Sequence, residues 1–387
     1  MSTSRLITAA TAMLATAVLA VGCGSTSPHS RGSAAPVSMT AASLNTSVAT
    51  AGGTWATVVM GGAASQYNNF WQLFSRPAGS STWMLATPPG TADNGGLVVA
   101  GGSQFLVTAF RPSQDLTYTP LIQTGDGGQA WSALSPLDAP LASTPDALAT
   151  PSASGTMMAL LTDGTAEQTA GGSASWKTLA TPQTIAATTA GRSCGLSAFT
   201  AAGYTPSGVP LLAGPCSKPG TAGIFASIGG TWQQAGPQIP AAFADQDVAV
   251  LRLTRVGGQL VTLLAAGSGH DVSLLAGWSA DNGGHWTLSP ALPLRAATMD
   301  SASFGNAGAV AVMAGGRADV VSGSGTQWQA LPALPPGTAT LAPVASGEPE
   351  ALAVAAATLT VWQLVPGASD WTKAQVIHVP IQYGSSG

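Results

Sequence analysis

The chain has little charge. Of its 387 residues only 7% are Asp, Glu, Lys or Arg, against roughly a quarter in an ordinary soluble domain. Lysine is confined to Lys177, Lys218 and Lys373, the arginines are scattered, and the formal net charge is −4. No basic stripe exists to follow a phosphate backbone, so no nucleic-acid partner is expected. The four histidines are dispersed without metal-ligand spacing. Neither a metal nor a cofactor is therefore expected. A P-loop, a G-x-S-x-G nucleophile elbow and a Cys/His catalytic signal are all lacking. Beyond residue 22 no apolar run approaches the roughly 20 residues needed to span a bilayer.

Cysteine is nearly as scarce, with three in the chain. Met1 to Arg5 carries one positive charge, residues 6 to 22 are apolar, and small residues lead into Cys23. This is the layout of a secretory signal peptide over residues 1–22. In an exported protein Cys194 and Cys216 are expected to pair, which leaves Cys23 without a protein partner. The junction "LAVGC" resembles the lipobox of bacterial lipoproteins, in which the cysteine after the cut is acylated. That resemblance implies a lipid anchor on Cys23 as the only membrane contact, on the outer face of the cytoplasmic membrane. If Cys23 is not acylated, the protein is secreted instead. Residues 23–46, rich in Ser, Thr, Ala and Pro and free of aromatics, read as a flexible tether carrying His29. The low lysine and the Ala/Gly/Thr/Pro bias suggest a high-GC actinobacterium.

What the chain does have is 45% apolar residues, 48 glycines and 27 prolines, a mixture that suits short strands and many turns. It also has a repeat. "WSALSP" at Trp131 has six companions, at Trp83, Trp176, Trp232, Trp286, Trp328 and Trp371, spaced 48, 45, 56, 54, 42 and 43 residues apart. A period in this range is that of a four-stranded propeller blade. Glycine-bounded apolar segments such as 97–110, 251–267 and 308–316 lie between the tryptophans, with "VGGQL" and "AGGSQF" as hairpin turns. No segment of helix length carries a sustained 3.6-residue stripe. The expected domain, 47–387, is an all-β propeller of seven four-stranded blades, with six or eight as alternatives. Each aligned tryptophan is expected to be a buried wedge between blades. Trp71, Trp278 and Trp362 come earlier in their repeats and are left as core or rim.

Within the repeats, Thr124-x-Asp126-x-Gly128-x-x-Trp131 recurs as Ser279-x-Asp281-x-Gly283-x-x-Trp286. A short carboxylate can accept bonds from the amides of its own turn, and glycine tolerates the left-handed bend. The pattern resembles the Asp-box, or BNR repeat, of sialidase-like propellers. That resemblance implies a structural turn between the third and fourth strands of a blade, away from any active site. The other repeats keep the tryptophan and lose the acid, with Pro77, Gly171 and Ser324 at or near its place.

Sialidases also use an arginine triad, a tyrosine nucleophile with a glutamate, and an aspartate. Arg76, Arg111, Arg192, Arg252, Arg255, Arg295 and Arg317 are numerous enough, but "FRP" at Phe110 to Pro112 lacks the isoleucine of the sialidase signature and falls in the second repeat. The other glutamates besides Glu167 are Glu348 and Glu350, expected as a solvated turn in a Gly/Pro loop. No catalytic residue is assigned. The expected function is a monomeric, surface-anchored propeller that binds a partner protein or a glycan without catalysis. The alternatives are a sialidase-like or other glycan-processing enzyme, and an assembly factor for an exported complex.

Overall fold

A computed structural model describes residues 46–50, 52–61, 69–88, 96–100, 106–110, 121–133, 145–151, 156–169, 176–268, 271–294, 299–323, 327–342 and 349–380. Cys23, Arg111, Arg295, Glu348 and the "AGGSQF" turn lie outside them. The strands follow one another as antiparallel meanders. The first holds β1 Thr46–Thr50, β2 Gly53–Gly61, β3 Asn69–Pro77 and β4 Met84–Leu85, and the second β5 Gly96–Ala100, β6 Leu106–Phe110, β7 Leu121–Thr124 and β8 Ser132–Ala133. The third holds β9 Ala147–Ala149, β10 Met157–Leu160, β11 Ala166–Thr169 and β12 Trp176–Ala180. The fourth holds β13 Ala201–Tyr204, β14 Pro210–Gly214, β15 Gly223–Ile228 and β16 Thr231–Gln234. In the fifth, β17 Val248–Val256, β18 Gln259–Ser268, β19 Asp271–Ser279 and β20 Thr287–Leu288 are joined by an extra β21 Leu292–Leu294. The sixth holds β22 Ser301–Phe304, β23 Val310–Ala314, β24 Arg317–Val321 and β25 Trp328–Ala330; the seventh holds β26 Thr338–Ala342, β27 Glu350–Ala355, β28 Thr358–Leu364 and β29 Trp371–His378.

The first strands of successive meanders touch in turn: β1 meets β5, β5 meets β9, β9 meets β13, β13 meets β17, and β22 meets β26, which returns to β1. Between the fifth and sixth meanders the link is a shared core in which Leu251 and Leu263 pack with Ala302 and Phe304. The sheets therefore stand around a common centre. The chain is a β-propeller. Near that centre β1 also pairs in parallel with β22 at Val48 and Phe304, and Ser301, Ser303 and Thr340 form a buried hydroxyl cluster to which the Ser47 amide donates at Ser303.

Position in the ring explains the hydrophobic pattern of each strand. Interior strands are covered on both faces by neighbouring sheets, so β18 is buried almost without interruption from Leu260 to Gly267. The outermost β29 shows no buried residue along its length. Tight turns join the strands; the β17–β18 hairpin closes between Val256 and Gln259 with Gly257 at φ 58°, where a Cβ would be strained.

Two helices fall in the 56-residue interval, the longest between repeats. The sequence did not announce them because α1 Pro182–Ala186 and α2 Thr189–Cys194 are too short to set up a 3.6-residue stripe. Their signals are local: Thr181 caps α1 ahead of Pro182, Thr188 caps α2, and Gly195 ends it at φ 71°. Cys194 and Cys216 form a disulfide that ties the end of α2 to the segment joining β14 and β15.

Candidate functional site: an apolar cleft between the fifth and sixth meanders

Asp126 and Asp281 each lie in the turn between the third and fourth strands of their meander. The Thr124 hydroxyl donates to the Asp126 carboxylate at 2.7 Å and accepts the Gly128 amide at 2.9 Å. The amides of Gln129 and Ala130 complete the ring of donors to Asp126, both at 2.9 Å. The second turn repeats this: Ser279 donates to Asp281 at 2.9 Å, Gly283 donates to Ser279 at 2.9 Å, and His285 donates its amide to Asp281 at 2.7 Å. Backbone angles repeat as well, with Gly127 and Asn282 at φ 77° and 62°, then Gly128 and Gly283 at φ 94° and 93°. Bonds from Ala130 and Thr124 hold Asp126 below the usual carboxylate range, and the His285 amide and ring hold Asp281 lower still. Both carboxylates are spent on their own turns.

Each aligned tryptophan stands at the opening of the fourth strand. Trp83 is buried, whereas Trp131, Trp176, Trp232, Trp286, Trp328 and Trp371 are only half-buried, less enclosed than wedges between sheets were expected to be. The geometry gives the reason. Trp286 donates its indole N–H to the carbonyl of Ala235 at 2.8 Å, Trp328 to Pro290 at 2.8 Å and Trp371 to Pro332 at 3.5 Å. Pro290 and Pro332 close the Trp-to-Pro motif of the preceding meander and Ala235 lies two residues before the closing Pro237, so each of these three rings stays near the end of the neighbouring motif where that carbonyl lies. Trp131 instead meets Trp55 edge-on, with centroids 6.3 Å apart. Trp278 is buried and donates to Gly308 at 2.6 Å, while Trp71 and Trp362 are half-buried.

Glu350 corrects the sequence expectation. It is not in a solvated turn but opens β27, 2% exposed. Trp83 Nε1 donates to it at 2.6 Å, Gln363 Nε2 donates at 2.8 Å, and Arg76 Nε stands 3.7 Å away. Beside it the Gln375 amide accepts the Trp83 N–H and donates to the Trp83 carbonyl, both at 2.8 Å. These contacts join the seventh meander to the first across a shared core containing Phe74, Met60 and Leu352. The backbone adds one link across the same join, the Gly61 amide donating to the Ala356 carbonyl at 3.0 Å. The only advance signal was that Glu350 leads directly into the apolar run "ALAVA".

The described arginines are dealt to separate places. Arg76 serves Glu350, Arg192 donates to the Ala187 carbonyl between the helices, and Arg317 opens β24. Arg252 and Arg255 lie opposite Leu263 and Leu260, which pack in different core clusters, so they leave β17 on opposite faces. Among the described residues no three His, Cys, Asp or Glu side chains gather as metal ligands.

The structure instead presents a cleft that no motif marked. The fourth strand of the fifth meander is broken: β20 stops after two residues, the chain turns at Ser289–Pro290, and β21 resumes pairing with Val272–Leu274. Ser289 holds the break by accepting the Ala276 amide at 3.0 Å and donating to the Pro290 carbonyl at 2.8 Å. Between this broken edge and the β23–β24 hairpin lies a cavity of about 660 Å³, lined by Leu274, Leu292, Leu294, Val312, Leu331 and Pro332, with Arg317 and Asp319 as its ionisable side chains. A second cavity, of about 670 Å³ and lined by Trp328, Gln329, Leu364 and Ser369, lies on the far side of Ala330–Pro332. Both volumes are those of binding clefts. Glycines at 315 and 316, at φ 58° and 74°, keep the hairpin tip without side chains where it borders the first cavity.

No family model matches the chain, and no curated protein matches it. Solved structures with a similar fold include YCF48 from Cyanidioschyzon merolae, 12% identical over 85% of this chain and 95% of that one, with a TM-score of 0.44. YCF48 bound to a D1 peptide is 15% identical over 79% of this chain and 88% of that one, with a TM-score of 0.41. The β-propeller domain of Cps50 (Swd1) from Myceliophteria thermophila is 12% identical over 84% and 95% of the two chains, at a TM-score of 0.42. At these identities the likeness is one of fold.

Proposed function

We propose that this chain is an exported lipoprotein whose propeller, each of its seven meanders a blade, binds a partner protein through the cleft between the fifth and sixth meanders. The carrying observation is the cleft itself, about 660 Å³ walled by Leu, Val and Pro with one cation and one anion among its lining residues. Such walls suit an apolar side chain of an extended polypeptide, with Arg317 available to its polar backbone or flanking charges. A glycan would call for a polar network and a stacking platform, and the walls supply neither. The role is binding without catalysis, since the carboxylates with depressed pKa, Asp126 and Asp281, are committed to their turns.

Export and anchoring rest on the apolar leader and on Cys23. The disulfide between Cys194 and Cys216 fits an oxidising compartment. Metabolic labelling with radioactive palmitate is expected to mark the wild type and to spare Cys23→Ala; equal labelling of the two would refute the anchor.

For the cleft, a displayed library of extended peptides is selected on the full chain and counter-screened on Ala330→Trp. Ala330 is exposed and lines both cavities, so a large ring there blocks them without disturbing the core. Selected peptides are expected to carry an apolar anchor and to lose binding to the variant. Peptides that bind both proteins equally would place the binding surface elsewhere.

A further inference from the structure

Arg252 sits in the middle of β17 between Leu251 and Leu253, both buried. The pairing with β18 passes from Val250–Leu264 directly to Arg252–Leu263 and leaves Leu251 out of step. This bulge puts Arg252 on the face it shares with Leu263, which packs against Phe304 and Val310 of the sixth meander. The guanidinium is thereby driven between two blades.

Its Nε and Nη2 are closed off from solvent and have no hydrogen-bond partner among the described residues. Those two nitrogens form one edge of the planar fork, the edge whose parallel N–H groups take two oxygens of a carboxylate, phosphate or sulfate side-on. No carboxylate supplies them: the ion pairs among the described residues are Arg76 with Glu350 and His285 with Asp281. Burial pushes the Arg252 pKa down to about 10, which leaves it protonated at neutral pH. A buried cation without a counter-charge is costly, and so is each buried donor left unpaired. Arg252 as a whole residue keeps partial exposure.

We infer that the Nε/Nη2 edge of Arg252 is an oxyanion-binding site between the fifth and sixth meanders. The inference does not depend on the cleft, whose lining does not include Arg252. The ligand presents two oxygens in one plane, either as a free tetrahedral anion or as a carboxylate.

Thermal unfolding of the full chain, in chloride and then with inorganic phosphate or acetate at matched ionic strength, tests this. One of the two anions is expected to raise the wild-type unfolding temperature by several degrees beyond chloride. A response to phosphate identifies a tetrahedral anion, and a response to acetate a carboxylate. Arg252→Lys, which keeps charge and loses the fork, is expected to lose most of the rise. Arg252→Met is expected to lose all of it while unfolding in chloride no earlier than the wild type. No response from the wild type, or an equal response from Arg252→Met, would overturn the site. Should Arg252→Met fail to fold, the Nε–H signal missing from the Arg252→Lys spectrum reports instead. Its saturable shift on anion titration supports the site, and its immobility overturns it.

Discussion

The indole N–H of Trp83 donates to the carboxylate of Glu350 at 2.6 Å, across the join between the first and last meanders. Elsewhere Trp286, Trp328 and Trp371 donate to backbone carbonyls of the preceding meander. At the join the acceptor is a buried side chain instead, and removing it strands the donors of Trp83 and Gln363 together with the Arg76 cation. Glu350→Ala is expected to destabilise the fold by about 3 kcal/mol, and Glu350→Gln, which keeps an acceptor, by less. Urea midpoints read both. Equal, small losses would mean that the join is held by its apolar core alone.

The two Asp-turns make a paired backbone prediction. Gly128 lies at φ 94°, and a Cβ there would stand 3.1 Å from the Trp55 ring. Gly128→Ala is expected to cost about 1–3 kcal/mol. Gly127→Asn is expected to be nearly neutral, because Asn282 already occupies the equivalent place at φ 62°. Denaturation of the two variants side by side checks the contrast, which disappears if the turn is free to rearrange.

Acid should act on these turns in a defined direction. Both carboxylates titrate below their unfolded value, so their stabilisation is complete above that value and is lost as pH falls through the lower folded one. Carboxyl-carbon NMR titration is expected to give Asp281 a lower midpoint than Asp126. His285→Ala removes a side-chain bond and should move Asp281 upward. Unchanged Asp281 titration in that variant would contradict the assignment of cause.

How much of this was legible in the sequence depends on the range of each signal. The tryptophan spacing pointed to sheets of four strands because Trp286, Trp328 and Trp371 each donate into the Trp-to-Pro motif of the repeat before, so geometry and sequence repeat together. The turns at Asp126 and Asp281 were legible because their bonds run within five residues. Glu350 was misread because its partners, Trp83 and Arg76, are more than 260 positions away. The cleft left no mark for a related reason. It arises where "SP" at Ser289–Pro290 breaks one strand opposite a glycine hairpin tip in another repeat, and both pieces read as ordinary turns.

Reduction of the Cys194–Cys216 bridge, which spans 22 residues, is expected to cost about 3 kcal/mol. The loss should concentrate on α1, α2 and the segment before β15. Hydrogen exchange with and without reductant reads it, and uniform loss of protection over the ring would show that the bridge supports the whole fold rather than this insertion.

The measurement closest to the central claim is the affinity of one selected peptide for the wild type and for Ala330→Trp, read with amide exchange on the wild-type complex. Binding is expected to fall at least about tenfold in the variant, a loss of some 1.4 kcal/mol. Protection is expected to appear in β21, in the β23–β24 hairpin and around Leu331. Equal affinity for the two proteins, with protection elsewhere, would contradict binding in this cleft.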